Sequence, residues 1–191
     1  MEISYSKAKD GDAYGINYVS AYTWKETYAN LLPEEYLNNK IKNFPNKIEK
    51  TKDFLKIYNG EYIVAKDKEK IVGILSFCPS KDEKYKEYGH LDAIYVLREY
   101  HGLGIGRELF KRAVEGLIKM GYSKMYLECM AFNNTLNFYK KYDGVVQKQI
   151  DYFLKNVGSV KVDIVLFEDL NKIMKYFDST EDEHYKKIGR S

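Results

Sequence analysis

Long apolar runs are missing from this sequence. No stretch of about 18 residues has the continuous hydrophobicity that a membrane-spanning helix requires, so no membrane partner is expected. The N-terminus, MEISYSKAKDGD, places no basic segment before an apolar one, and no signal peptide is expected. Arginine is scarce: Arg98, Arg107, Arg112 and Arg190 are the only four, and the other basic residues are lysines spread along the chain. Without a clustered arginine stripe, and with a net charge of only +3, no nucleic-acid partner is expected. The two cysteines, Cys78 and Cys129, stand in apolar surroundings far apart in sequence. They read as buried free thiols in a reducing compartment, which points to a cytoplasmic protein. No His/Cys/carboxylate cluster shows ligand spacing, so no metal is expected.

What is present suffices for one domain with a full core, since 45% of the 191 residues are hydrophobic. The nineteen tyrosines alternate largely with Lys and Glu and read as amphipathic filler rather than as a stacking platform. Ile3–Tyr5 suggests a first strand, and Asp12 an N-cap for a helix to about Asn30. That helix aligns Ile16, Val19, Ser20, Thr23, Trp24 and Thr27, a stripe weakened by three hydroxyl residues. Pro33 suits the first turn of a second helix that ends near Pro45, and residues 47–59 read as helix or loop. Glu61–Lys66 and Ile71–Cys78 form a predicted hairpin. Strands at Leu91–Leu97 and Ser123–Met130 flank a helix, Gly104–Met120, and this βαβ unit predicts a parallel pair. A short helix (Asn134–Tyr142) and a closing hairpin (Val145–Gln149, Val160–Phe167) complete a mixed sheet. The expected domain is residues 1–170, with 171–191 a polar tail that forms a short frayed helix or is disordered.

The chain is organised around LDAIYVLREYHGLGIGRELFKRAVEGLIKM, residues 91–120. A strand runs into a loop with Gly102, Gly104 and Gly106, and the loop opens directly into an amphipathic helix. Glycines permit positive φ and close approach of backbone N–H groups. The helix start adds unsatisfied N–H groups and the positive dipole end. Together they describe a phosphate or pyrophosphate site. A Rossmann fingerprint would need its third glycine at Leu109, and a P-loop would need Lys-Ser or Lys-Thr where Arg107-Glu108 stands. Both fail on spacing.

Tyr100-His101-Gly102-Leu103-Gly104-Ile105-Gly106-Arg107 resembles the acyl-CoA pyrophosphate loop of the GNAT family of N-acetyltransferases. His101 stands where that family usually carries Gln or Arg. Trp24-Lys25-Glu26-Thr27-Tyr28 with Leu31-Leu32-Pro33 is similar to the first two helices of bacterial members. Asn133, Phe138-Tyr139 and Asp143-Gly144 resemble the family segment after the fifth strand. The likeness covers roughly residues 3–170, in order.

The resemblance implies an α/β fold: one domain, a mixed, mostly antiparallel sheet and helices on both faces. It implies acetyl-CoA as acyl donor, with pyrophosphate over Gly102–Arg107, Asn133 nearby, and pantetheine along the backbone of Ile94, Tyr95 and Val96. One of those N–H groups would serve as oxyanion donor. Tyr139 matches the family tyrosine that protonates the leaving thiolate, or it merely packs. His90, Asp92 and Ile94 are expected to share one strand face. His90 or Asp92 is the candidate base, or an exposed strand-end residue. Glu26 is a candidate for binding a cationic amine, with Trp24 and Tyr28 lining the acceptor pocket; a solvated Glu26 and a core Trp24 are the plainer alternatives. The expected reaction is direct attack by a primary amine of a small cationic metabolite. A Cys129 ping-pong route, a non-catalytic acyl-CoA-binding regulator and acetylation of protein amines stay open, as does a homodimer.

Overall fold

The alternation read from residue 61 onward becomes the middle of a seven-stranded sheet in the computed structural model, which describes residues 2–178. The strands are β1 (Ile3–Lys7), β2 (Glu61–Asp67), β3 (Lys70–Pro79), β4 (Gly89–Val96), β5 (Met125–Met130), β6 (Val145–Leu154) and β7 (Gly158–Phe167). Their spatial order is β1-β2-β3-β4-β5-β7-β6, and only β4 and β5 run parallel. This is the mixed, mostly antiparallel sheet of a single α/β domain. The parallel pair is joined by α4 (Ile105–Lys119), as the βαβ reading required.

Helices cover both faces. Along α4, Ile105, Leu109, Phe110, Ala113, Val114 and Leu117 recur at helical spacing and are fully buried. They meet Leu75, Phe77, Leu91, Met125 and Leu127 of the sheet in the main core. On the other face, Ile16 and Val19 of α1 (Ala13–Tyr28) pack on Val64, Ile71 and Ile74. The segments α2 (Glu34–Asn43) and α3 (Ile48–Ile57) follow, the latter resolving residues 47–59 as mostly helix. After β5 comes α5 (Thr135–Lys140).

Three expectations change. Asp12 stands at the N-cap of α1 as expected, but its side chain does not cap the helix. Its carboxylate accepts from the Lys9 N–H at 2.9 Å and pairs with Lys66 at 2.6 Å, so it ties the helix start to β2. The short helix allowed for in the tail forms over residues 170–178, but it is packed rather than frayed: Leu170, Ile173 and Phe177 are buried in the main core. The boundary drawn at residue 170 therefore cuts into a packed element; residues 179–191 of the predicted tail lie outside the described residues.

The third change bears on the site. Ser76 pairs with Ala93 and Phe77 with Leu91, so Asp92 is an extra residue in β4. Such a bulge shifts the alternation by one. Leu91 and Ile94 consequently both face α4, whereas His90 stacks on Tyr126 on the opposite face. His90, Asp92 and Ile94 do not share one face. At the same place the β4–β5 ladder stops: its last pair is Leu91 with Leu127.

Candidate active site

Where β4 and β5 part, a cavity of about 620 Å³ opens between them. Its wall includes Asp92 through Val96, Gly102, Gly104 to Arg107, Leu127 to Cys129, and Tyr139. Beyond Leu91 the β4 edge that faces β5 has no ladder partner there. Its backbone groups on that side are available to a ligand rather than to the sheet.

The glycine loop adopts the conformation its sequence requires. Gly102 and Gly104 have φ of +81° and +78°, and Gly104 is the N-cap of α4 with no side chain capping the helix. A Cβ built on either meets nothing within 4 Å, so the demand for glycine is conformational and the space above the loop is open. The first N–H groups of α4 thus face an open concavity, which fits a pyrophosphate. His101 braces this cradle: its Nε2–H donates to the Val96 carbonyl at 2.9 Å, tying the loop to the end of β4. The Arg107 guanidinium lies over the Phe177 ring and donates to the Phe177 carbonyl at 2.9 Å while remaining on the cavity wall. Leu103 is 53% exposed and lies outside the wall.

Three phenols and a thiol converge deeper in. Burial raises the phenols of Tyr28, Tyr95 and Tyr139, Tyr95 to about 12, and all three stay protonated at neutral pH. Tyr139 is buried on the wall, its ring packed among Phe110, Phe138 and Phe167. Tyr95 accepts a hydrogen bond from Trp24 Nε1 at 3.0 Å. Burial pushes the Cys129 thiol up to about 11, the opposite of an activated nucleophile. Cys129→Ala is therefore expected to leave turnover nearly intact, measured as released CoA thiol; near-total loss would reinstate a Cys129 acyl-enzyme route.

On the α1 face the cavity ends at two carboxylates, Asp92 and Glu128. Asp92 accepts from Tyr58 Oη at 3.3 Å and Ser76 Oγ at 3.4 Å, and pairs with Lys81 at 3.4 Å. Burial raises the Glu128 carboxyl above its ordinary value, and the charges of Asp92 and Asp82 add to that, against Lys81. His90 lies outside the wall. Its ring stacks on Tyr126 at 4.5 Å, with Nδ1 4.0 Å from both Cys78 Sγ and Asp92 Oδ1. Burial lowers its pKa, against the pull of Asp92.

Other predicted residues have different surroundings. Tyr28 is on the wall, but Trp24 and Glu26 are not. Glu26 accepts from the Arg98 N–H at 3.3 Å, and the Trp24 ring carries the Lys40 ammonium at 3.8 Å. Asn133 builds the turn into α5: its Oδ1 accepts from the Thr135 N–H at 2.7 Å and its Nδ2 donates to the Met130 carbonyl. Its neighbours Asn134 and Thr135 reach the wall instead. Sequence reasoning missed Glu128, Thr23, Thr27 and Phe138, all on the wall. Glu128 carried a signal: it is the one charged residue inside β5.

This combination of split parallel strands, glycine cradle and helix start agrees with comparison to known proteins. Residues 24–144 match the acetyltransferase (GNAT) family. The chain is 30% identical over 141 residues to YuaI of Bacillus subtilis (strain 168), an uncharacterised N-acetyltransferase, covering 73% of this chain and 79% of that one. Among solved structures, PaiA N-acetyltransferase from Thermoplasma acidophilum, in complex with coenzyme A, superposes with a TM-score of 0.63 at 20% identity, over 85% of this chain and 98% of that one. A point mutant of the spermidine N-acetyltransferase SpeG from Vibrio cholerae gives 0.64 at 14% identity, over 90% and 96%. The chain belongs to the GNAT family. It is an acetyl-CoA-dependent N-acetyltransferase. Among the described residues no helix is long and apolar enough to cross a membrane, and no group of three or more His, Cys, Asp or Glu could hold a metal.

Proposed function

We propose that this enzyme acetylates a primary amine of a small cationic metabolite by direct attack. The observation that carries this reading is that one continuous cavity joins the glycine cradle to the paired carboxylates Asp92 and Glu128. Bound there, acetyl-CoA supplies an activated thioester. Gly102, Gly104, Gly106 and the first amides of α4 hold its pyrophosphate, and the open edge of β4 from Ile94 to Val96 aligns the arm. Tyr139, protonated because it is buried, holds the proton that the leaving sulfur needs.

At the other end an ammonium must be bound and then deprotonated. Asp92, supported by two hydroxyl donors, is suited to hold it as a carboxylate. Glu128, whose pKa is raised, is the better-matched proton acceptor near neutral pH. His90, the other base expected from the sequence, has no cavity exposure to support that role and is assigned the positioning of Asp92.

A panel of amines assayed for released CoA thiol tests this. Di- and polyamines are expected to outpace neutral amines, amino sugars and peptide amino termini. The acid limb of the rate profile should lie above the 4.5 of an ordinary glutamate, because the base must be deprotonated to act and its pKa is raised. Acetyl-CoA binding without thiol release for any amine would make the chain a regulator, and a preference for peptide amino termini would make proteins the substrate.

A further inference from the structure

Lys81, in the connection between β3 and β4, lies outside the cavity wall and meets it at Asp92, the wall carboxylate. Its Nζ lies 3.4 Å from Asp92 Oδ1 and 5.6 Å from the centroid of the Tyr58 ring. Tyr58 and Ser76 donate to the other oxygen of the same carboxylate. A carboxylate held by two hydroxyls beside an aromatic face is a full recognition set for an alkylammonium. The group already seated in it is an alkylammonium belonging to the protein.

The backbone that carries Lys81 is pinned. Ser80 Oγ donates to the Asp82 carbonyl at 2.8 Å, Asp82 Oδ1 accepts from the Lys84 N–H at 2.9 Å, and Tyr85 is buried against Tyr126. The side chain is not pinned. It is 57% exposed and holds Asp92 through one partly solvated ion pair. Such a pair is displaced at little cost. The anchor is fixed and the arm can swing out.

We infer that Lys81 is an internal occupant of the acceptor's ammonium site, which an incoming cationic amine must displace from Asp92, so that Lys81 sets the enzyme's affinity for such amines. This rests on the reading above that the Asp92 end takes the amine. It further assigns Lys81 a function opposite to that of a substrate anchor. An anchor for a substrate carboxylate would strengthen binding, whereas an occupant weakens it.

Lys81→Met keeps the length of the arm and removes its charge, and Lys81→Arg keeps the charge. Apparent KM for putrescine is measured by released thiol, and putrescine binding to the CoA-loaded protein by calorimetry. The Met variant is expected to lower both KM and Kd about two- to fivefold, the yield of freeing one exposed ion pair. The Arg variant should stay near wild type, the gap should shrink at high ionic strength, and KM for acetyl-CoA should not move. An unchanged or raised Kd in the Met variant would overturn the inference, as would weakened binding of zwitterionic amino acids, which would make Lys81 an anchor. The two readings fail separately. Tighter putrescine binding without thiol release from any amine would sink acetyl transfer and leave Lys81 as occupant. Thiol release with Met and wild type alike would sink Lys81 alone, and no putrescine binding to either protein would sink both.

Discussion

Gly104→Glu is expected to abolish CoA binding while leaving the fold in place. Position 104 has a φ of +78°, which costs an L-residue about 1–2 kcal/mol, so part of the effect is strain. The larger part is placement. A side chain built here projects into open space directly over the uncapped start of α4, where the cradle would hold pyrophosphate. A carboxylate there is favoured by the helix dipole, so it fills the anion site from within and repels the phosphates. The loss should exceed about 100-fold in Kd, or about 2.7 kcal/mol. Gly104→Ala separates the contributions, because it carries the strain without the charge and should lose far less. Calorimetry with CoA and a thermal melt of each variant check this. Unaltered CoA affinity in a folded Glu variant would move the pyrophosphate site elsewhere.

Tyr139→Phe is expected to cut kcat about 100-fold, the lower range for removing a general acid. The ring should stay in place among Phe110, Phe138 and Phe167, so KM for acetyl-CoA should change little. Burial holds the phenol above its ordinary value of 10.0, with Cys129 and Tyr95 pushing the same way. A raised pKa means that the proton is kept as pH rises, so the wild-type rate should show no alkaline limb from this group across neutral and mildly basic pH. Steady-state kinetics of the Phe variant, beside Tyr95→Phe and Tyr28→Phe, give the test. If Tyr139→Phe keeps its kcat and another variant loses it, the proton donor is one of the other phenols.

Some of this site could be read from residue types alone, because the physical demand is local. A glycine at positive φ ahead of an amphipathic helix specifies an anion cradle wherever the chain later folds. The weak stripe of α1 was also a real signal: Thr23 and Thr27 line the cavity, and the buried Thr23 satisfies its hydroxyl on the Val19 carbonyl of its own helix at 2.6 Å. Other features depend on partners far along the chain. Nothing in Leu91-Asp92-Ala93 marks a bulge, since it exists only in the register against β3. Leu170, Ile173 and Phe177 stand among Asn171, Lys172, Lys175 and Tyr176, and that their short helix docks rather than frays became legible only with a core to bury them. Asn133 was read as a ligand contact, but its two short-range hydrogen bonds make it a turn former.

The extra residue in β4 acts like a frameshift within a strand. Upstream of it, odd-numbered residues serve the core under α4; downstream, even-numbered ones do, and the remainder look toward the acceptor. Asp92 is therefore punctuation as well as a charge. Exchanging it for Asn alters the chemistry at a fixed address, whereas deleting it would remove the bulge and the carboxylate together while Leu91 and Ile94 kept facing α4 and Ala93 and Tyr95 the acceptor. Inserting one further residue here, by contrast, would shift the alternation by one and change which residues the enzyme has available for each end of its reaction.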